Sequence, residues 1–361
     1  MMSGFEEMWK EEQERINKAL NDFLVMKRNA AHYLGPVHDF YYDNLREYVM
    51  RGGKRLRPLA VVTAYKAVAG EPKTEFLYRA SCSFEILHNG SLLHDDLIDH
   101  DETRRNGPTF HALYRDWLKE KAEAGQEKAD DFGMTMAILG GDSLINLGAE
   151  TITTSQLSGD VAAKCHTYFQ QGFSEIVEGV LLEMNMVLSD NVSSETYLEM
   201  VRLKTAALFE KALLMGAAMA NANESQLEAF SEFGVKIGQA FQMQDDILGS
   251  FGDEEETGKS ASGDIREGKR TMLLIKALEL ANPEQKQVLT DLVGKEDMTD
   301  EEVEKVRDVF RESGALKSTE KIMNKLLEEG QDALRKAKPP LKSQYLDFML
   351  NLSRFLTSRA F

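Results

Sequence analysis

The chain has 361 residues, enough for one large or two ordinary domains, and its 42% hydrophobic and 29% charged residues exclude a disordered or fibrous protein. A formal charge of -17, from 60 acidic against 43 basic side chains, argues against a general nucleic-acid-binding surface, so no nucleic-acid partner is expected. The two cysteines, Cys82 and Cys165, lie far apart; they exclude a disulfide scaffold and a cysteine-built zinc site and fit a reducing, cytoplasmic setting.

The opening segment, MMSGFEEMWKEEQERINKAL, is amphipathic and mostly acidic, without the apolar centre of a signal peptide or the Arg-rich character of a transit peptide. Residues 12–33 place Ile16, Leu20, Phe23 and Leu24 at spacings of three and four, which predicts a helix. Similar stripes follow over 38–50, 55–69, 76–99, 132–155, 162–188, 195–222, 226–249, 271–280 and 284–312. Breaks fall at Arg51-Gly52-Gly53, Gly70-Glu71-Pro72, Asn106-Gly107-Pro108 and Gly252–Gly268. Alternating β-branched runs are scarce and no repeat is visible, so an all-α chain forming a single domain over 1–361 is expected. The charged stretch 118–131, LKEKAEAGQEKADD, reads as a solvated insertion, a surface helix or mobile excursion, with a lid over a site as the alternative. No apolar run approaches the roughly 18 residues of a membrane span, so no transmembrane association is expected. Beyond about residue 285 the amphipathic helices carry no obvious chemistry and read as packing and assembly.

Two acidic clusters stand out. In Ser91-Leu92-Leu93-His94-Asp95-Asp96-Leu97-Ile98-Asp99, a helix sets Asp95 and Asp99 one turn apart on one face, where both carboxylates can reach a common ion. Asp245 and Asp246 repeat the pattern within Phe241–Leu248. One acid pair is ordinarily a solvated face or a helix cap, but two on apolar helices, each followed by cations, are costly unless paired or metal-bound. Arg104 and Arg105 follow the first; Lys259, Lys269 and Arg270 follow the second. Hard oxygen donors suit Mg2+, an ion usually completed by water and substrate phosphates. Upstream, Gly52–Pro58 is a glycine turn opening onto Lys54 and Arg57, basic residues that disfavour a helix start unless an anion binds there. Lys204-Thr205 lies in VRLKTAALF, where the lysine either snorkels to solvent or serves a ligand.

These motifs together resemble the trans-isoprenyl diphosphate synthases, the polyprenyl synthetase family, and in particular its bacterial geranylgeranyl diphosphate synthases. The resemblance rests on GGKRLRP at Gly52–Pro58, FEILHNGSLLHDDLIDHDETRRNGPTFH at Phe84–His111, LKTAALF at Leu203–Phe209 and FQMQDDILGSFGDEEETGKSASGDIREGKRT at Phe241–Thr271. It implies the isoprenoid synthase fold, with helices surrounding a central catalytic cavity, and a homodimer. The implied reaction is Mg2+-dependent condensation of isopentenyl diphosphate with C5, C10 or C15 allylic diphosphates. On the family pattern Asp95, Asp99 and Asp245 hold several metal ions bridged by diphosphate, supported by Asp96 and Asp246. Arg104, Lys204, Lys259 and Lys269 match residues that bind the allylic diphosphate. Lys54, Arg57, His88 and Arg105 match those around isopentenyl diphosphate, and Thr205 and Gln242 lie near the reacting carbon. His94 is expected to be structural or to support a metal ligand from behind.

The chain departs from the pattern at Gly249, where the second motif usually has a third aspartate, and at Gly179-Val180-Leu181-Leu182-Glu183, where the family has Gly-Gln-x-x-Asp. Product length in the family is set along the helix before the first motif, which makes Phe84, Leu87, Gly90 and Ser91 the chain-length region, with Met134, Met136 or Phe173 as later stops. Gly90 and Ser91 build no aromatic floor, so geranylgeranyl diphosphate is the expected product, with farnesyl or C25 geranylfarnesyl diphosphate as alternatives. A subunit of a heteromeric prenyltransferase is a further alternative. A cyclase or hydrolase is disfavoured, because a single substrate leaves the second cationic set unused.

Overall fold

The computed structural model describes residues 2–72, 76–189, 192–252 and 262–358. Helices account for almost all of it: α1 (Met2–Ala31), α2 (Pro36–Met50), α3 (Leu56–Ala69), α4 (Phe76–Ile98), α5 (Phe110–Ala122), α6 (Gln126–Thr153), α7 (Gly159–Val187), α8 (Ser194–Val201) and α9 (Ala207–Met219) come first. Then follow α10 (Glu224–Phe251), α11 (Gly263–Arg266), α12 (Met272–Leu280), α13 (Pro283–Leu292), α14 (Asp300–Glu312), α15 (Ala315–Lys336) and α16 (Ser343–Thr357). The described strands are β1 (Thr103–Arg104) and β2 (Gly107–Pro108), a minimal antiparallel hairpin. Among the described residues no helix is long and apolar enough to cross a membrane.

Local sequence sets many boundaries. Asn223 with Gln226, Asn282 with Gln285 and Thr299 with Glu302 form capping boxes that satisfy the first free N–H groups of α10, α13 and α14. The stripe expected over 284–312 is accordingly two helices. Gly294 turns at φ +76 just past α13, and the Thr299 cap starts α14 afresh. Between α8 and α9 the helix widens into a π turn over Arg202–Ala206. The charged stretch 118–131 is no excursion from the helices: it is the end of α5, a turn reversed at Glu123 (φ 48), and the start of α6. Trp117 stacks on Phe132 at 5.9 Å and fastens the base of this hairpin, while its charged tip is solvated.

The chain forms two compact units. The first comprises Met1–Gln170 with Ala212–Ala222, and the second Gln171–Lys211 with Asn223–Phe361. In the first, Leu20, Phe23, Leu24, Leu45, Val49, Ile86, Leu93, Phe110 and Leu144 form an apolar core. A polar cluster ties α1 to α3 and α4: the fully buried Lys66 ammonium meets Glu12 at 2.6 Å and Glu71 at 2.9 Å, and Tyr78 donates to Glu12 at 2.9 Å. In the second unit the core joins Tyr197, Val201, Met243, Ile247, Met272, Leu273, Val306 and Phe310 from α8, α10, α12 and α14.

Candidate active site

In the first unit, cations and acids converge on one end of α4. The hairpin reverses through Arg105 (φ 50) and Asn106 (φ 62), both left-handed, as a two-residue type I′ turn requires. Arginine in that conformation costs about 1 kcal/mol or more, a strain typical of residues held for function. Arg51 clamps the hairpin by donating to the Pro108 carbonyl at 2.6 Å, and its guanidinium lies where any side chain at Gly107 would go. Arg105 lies against Gly53 and reaches the Gly52 carbonyl and Asn89 Oδ1, each at 3.5 Å. Lys54 and Arg57 are half-buried on the same segment, and the buried Arg57 Nε has no hydrogen-bond partner. Arg55, by contrast, is structural: buried, it donates to Glu85 at 2.6 Å, the Val49 carbonyl at 2.9 Å and Asn17 at 2.9 Å.

Burial pulls Arg57 down to about 10, an effect offset in part by Glu85 and reinforced by Arg105. Burial first, then Arg57, Arg105, Arg104 and Arg55, hold His88 well below the usual histidine value, so its imidazole is neutral at pH 7. This is a pocket of excess positive charge, poised for an anion. A bound anion cancels the repulsion, so inorganic diphosphate is expected to raise the His88 pKa. In a two-dimensional NMR titration the His88 ring stays neutral down to below pH 6.5 without ligand and titrates at higher pH with it; an unmoved midpoint contradicts the assignment.

Asp95 is half-buried near the end of α4 and Asp99, just past that end, is exposed, with a backbone bond from Asp99 N to Asp95 O of 2.8 Å. Asp96 is fully buried, accepting from Tyr48 OH at 2.7 Å and paired with Arg104 through its other oxygen. It therefore positions Arg104 rather than offering a free carboxylate. His94 tucks its ring against Gly141 of α6, where a Cβ would lie 2.1 Å from its Nε2, and so packs two helices, as expected.

The chain-length residues fall differently from one another. Phe84 and Leu87 are fully buried, with Phe84 tilted against Phe169 at 6.0 Å. Gly90 faces α6: a Cβ there would meet the Gly141 carbonyl at 3.0 Å and Ile145 at 3.2 Å. Its small size serves close helix packing. Ser91 is half-buried and donates to the His88 carbonyl at 2.8 Å. Met134 is 44% exposed, and Met136 and Phe173 are half-buried.

The second unit carries the other set. Lys204 and Thr205 lie in the π turn, a widening that recurs at functional sites. Gly179 of α7 packs on it so closely that a Cβ would be 2.4 Å from Lys204 N. Glu183, at the position of the family's aspartate, is ion-paired with Lys204. Thr205 donates to Gln242 Oε1 at 2.9 Å, Gln242 Nε2 donates to Asp246 Oδ1 at 2.9 Å, and Tyr197 donates to Asp246 Oδ2 at 2.5 Å. This chain fixes the amide: its N–H must face the carboxylate, which leaves the carbonyl to Thr205. Burial, then the charges of Asp264 and Asp245, push Asp246 up to about 7 against the bonds from Tyr197 and Gln242. Asp246 thus orients the Thr205–Gln242 pair, while Asp245 beside it is half-buried. Lys269 pairs with Asp264 at 3.2 Å and Glu267 at 3.0 Å. Lys259 lies outside the described residues.

Among the described residues no three acidic, His or Cys groups converge on one point. Mg2+ takes hard oxygen donors and completes its shell with water and phosphate. Asp95, Asp99 and Asp245 are donors of the right hardness. Tyr48, Tyr197 and Asp264 were not among the sequence candidates. The two tyrosines carry no motif, whereas Asp264 sits inside the quoted GDIREGK segment.

Helical architecture and paired acidic and basic motifs define an isoprenoid synthase fold, and comparison with solved structures agrees. Geranylgeranyl pyrophosphate synthase from Corynebacterium glutamicum, crystallised with isoprenyl diphosphate and magnesium, matches with a TM-score of 0.87 at 30% identity, covering 96% of this chain and 98% of that one. The Polyprenyl synthetase family model matches residues 38–310, and the chain belongs to that family. It is 35% identical over 262 residues to the geranylgeranyl diphosphate synthase of Saccharolobus solfataricus, covering 72% of this chain and 73% of the relative. The geranylfarnesyl diphosphate synthase of Aeropyrum pernix is 31% identical over 314 residues, 86% of this chain and 92% of the relative.

Proposed function

We propose that the protein is a Mg2+-dependent prenyltransferase that condenses isopentenyl diphosphate with C5, C10 and C15 allylic diphosphates, making chiefly geranylgeranyl diphosphate. The observation that carries this reading is the cationic pocket around His88, with the unpartnered Arg57 Nε, present in addition to the accessible acids Asp95 and Asp99. This cationic set is additional to Arg104, Lys204 and Lys269, the cations assigned to the allylic diphosphate, and supports a second diphosphate.

When bound, Mg2+ supplies electrophilic stabilisation of the departing diphosphate. On the family resemblance Asp95, Asp99 and Asp245 would hold it, and Arg104, Lys204 and Lys269, with Lys259, would take the phosphate oxygens of the allylic substrate. Lys204 exchanges Glu183 for phosphate on binding. Thr205 gives its proton to Gln242 and so turns oxygen lone pairs outward, where they favour an allylic cation without capturing it. Lys54, Arg57, Arg105 and neutral His88 hold isopentenyl diphosphate with its alkene free to attack. The allylic carbon–oxygen bond breaks, the alkene attacks the allylic cation to form the new carbon–carbon bond, and the released diphosphate accepts the proton that leaves.

A homodimer is supported by exposed apolar side chains, Met134, Ile138 and Leu139 on α6 and Val177, Leu181 and Met184 on α7. A cytoplasmic setting is supported by the two buried free cysteines. The Aeropyrum pernix relative keeps a C25 product as the second reading.

Calorimetric titration with isopentenyl diphosphate tests the second site. Wild-type protein is expected to bind, and Arg57→Ala to bind about 10- to 100-fold more weakly, the worth of a charge-assisted hydrogen bond. Equal binding by both overturns the assignment.

A further inference from the structure

The first helix, α1, is acidic at Glu6, Glu7, Glu11 and Glu14, yet one line along it carries amides: Gln13, Asn17 and Asn21, spaced four apart and so on one face. Gln13 Nε2 donates to the Gly53 carbonyl at 3.0 Å, Asn17 Oδ1 accepts from Arg55 Nε at 2.9 Å, and Asn21 Oδ1 accepts from Arg46 Nε at 2.8 Å. Two rungs of this ladder therefore grip the glycine turn that leads to Lys54 and Arg57. The helix lies ahead of residue 38, where the match to the family begins.

That turn needs holding. Gly52 stands at φ +86, Gly53 at φ +106 and Arg55 at φ 54, and for a non-glycine residue such a backbone persists only when its surroundings fix it. The buried Arg55 guanidinium is fixed by three helices at once: by Asn17 of α1, by the Val49 carbonyl of α2 at 2.9 Å and by Glu85 of α4 at 2.6 Å. On Gly53 the Arg105 guanidinium lies 3.6 Å from where a Cβ would stand, so the turn is held between α1 and the hairpin. Glu85 already matches the Arg55 charge, and the amides bring none of their own. The ladder thus shapes the turn without adding negative charge to the cationic pocket.

We propose that Gln13 and Asn17 are positioning residues for isopentenyl diphosphate: acting through the Gly53 carbonyl and the Arg55 guanidinium, they fix the turn that sets Lys54 and Arg57. The inference rests on the assignment of that pocket above. It gives α1 a part in substrate binding that none of the motifs assigns to it.

The test uses the full chain with Gln13→Glu, Asn17→Asp or Asn17→Leu, each shown folded by a cooperative urea transition. Calorimetry gives Kd for isopentenyl diphosphate, and steady-state rates give KM for it and for a C15 allylic diphosphate. The two acids add the same charge one helical turn apart, but Gln13→Glu removes the donor to Gly53 whereas Asn17→Asp keeps the acceptor for Arg55. Gln13→Glu and Asn17→Leu should weaken isopentenyl diphosphate about 10-fold, the worth of one hydrogen bond at the upper end of its range, with the allylic KM unchanged. Asn17→Asp should stay within about threefold of wild type. In an Arg57→Ala background Asn17→Leu should cost less than it does alone, because one of the residues it acts on is gone. Unchanged binding in folded Gln13→Glu and Asn17→Leu, an equal rise in both KM values, Asn17→Asp as weak as Asn17→Leu, or full additivity with Arg57→Ala overturns the proposal. Wild-type protein that does not bind isopentenyl diphosphate, or Arg57→Ala that binds it as wild type does, would instead overturn the assignment of the pocket and this inference with it.

Discussion

Asp95→Asn is expected to lower kcat for condensation by about 10²- to 10³-fold, the usual cost of losing one preorganised electrostatic group. The two neighbouring acids of α4 differ in a way that makes this informative. Asp95 lies half-buried one turn before exposed Asp99. Asp96 is fully buried and already saturated by Tyr48 and Arg104. Asparagine at 96 keeps the shape but removes the charge that anchors Arg104, so Asp96→Asn should lower stability as well as rate. Steady-state rates at saturating Mg2+, set beside urea unfolding of both variants, separate the two roles. Activity in Asp95→Asn above one tenth of wild type would contradict the assignment of Asp95.

Lys66→Met is expected to destabilise the fold by roughly 3–5 kcal/mol, because it strands Glu12 in the interior without its partner. Lys66 is fully buried and Glu12 nearly so, and their 2.6 Å pair is extended by Glu71 and Tyr78. Burial opposes the ammonium, but the bonds to Glu12 and Glu71 outweigh it and hold the Lys66 pKa above the ordinary lysine value. A raised pKa means the contribution is complete below the unfolded-state value and is lost only as pH rises through the folded one, so the pair is at full strength across the neutral range. The double variant Glu12→Gln/Lys66→Met should recover most of the loss, since it leaves no buried charge. Urea unfolding of the three variants measures this directly. A loss below about 1 kcal/mol for Lys66→Met would show that the pair is relieved by solvent.

What was legible in the sequence was what local periodicity and short motifs encode. The helix carrying Asp95 could be read from its stripe, with Asp99 just past its last residue. The break between α13 and α14 was written in Gly294 and in the Thr299–Glu302 box, but apolar residues continue at helical spacing on both sides, and a single stripe ran across it. Tertiary partners were out of reach. Tyr48 is 48 residues from Asp96, and Tyr197 is 49 from Asp246, so nothing local ties either hydroxyl to its carboxylate. Gly90 shows the same limit: its lack of a side chain could mean room for a growing product or room for a helix, and only the nearness of Gly141 and Ile145 decides for the helix.

The most direct measurement is mass analysis of the products formed by purified protein from isopentenyl diphosphate and, separately, C5, C10 and C15 allylic diphosphates, with Mg2+ and with a chelator. Mg2+-dependent condensation from all three primers, converging on a C20 diphosphate, is the predicted result. Folded, Mg2+-supplied protein that consumes an allylic diphosphate without adding isopentenyl units would contradict the prenyltransferase reading.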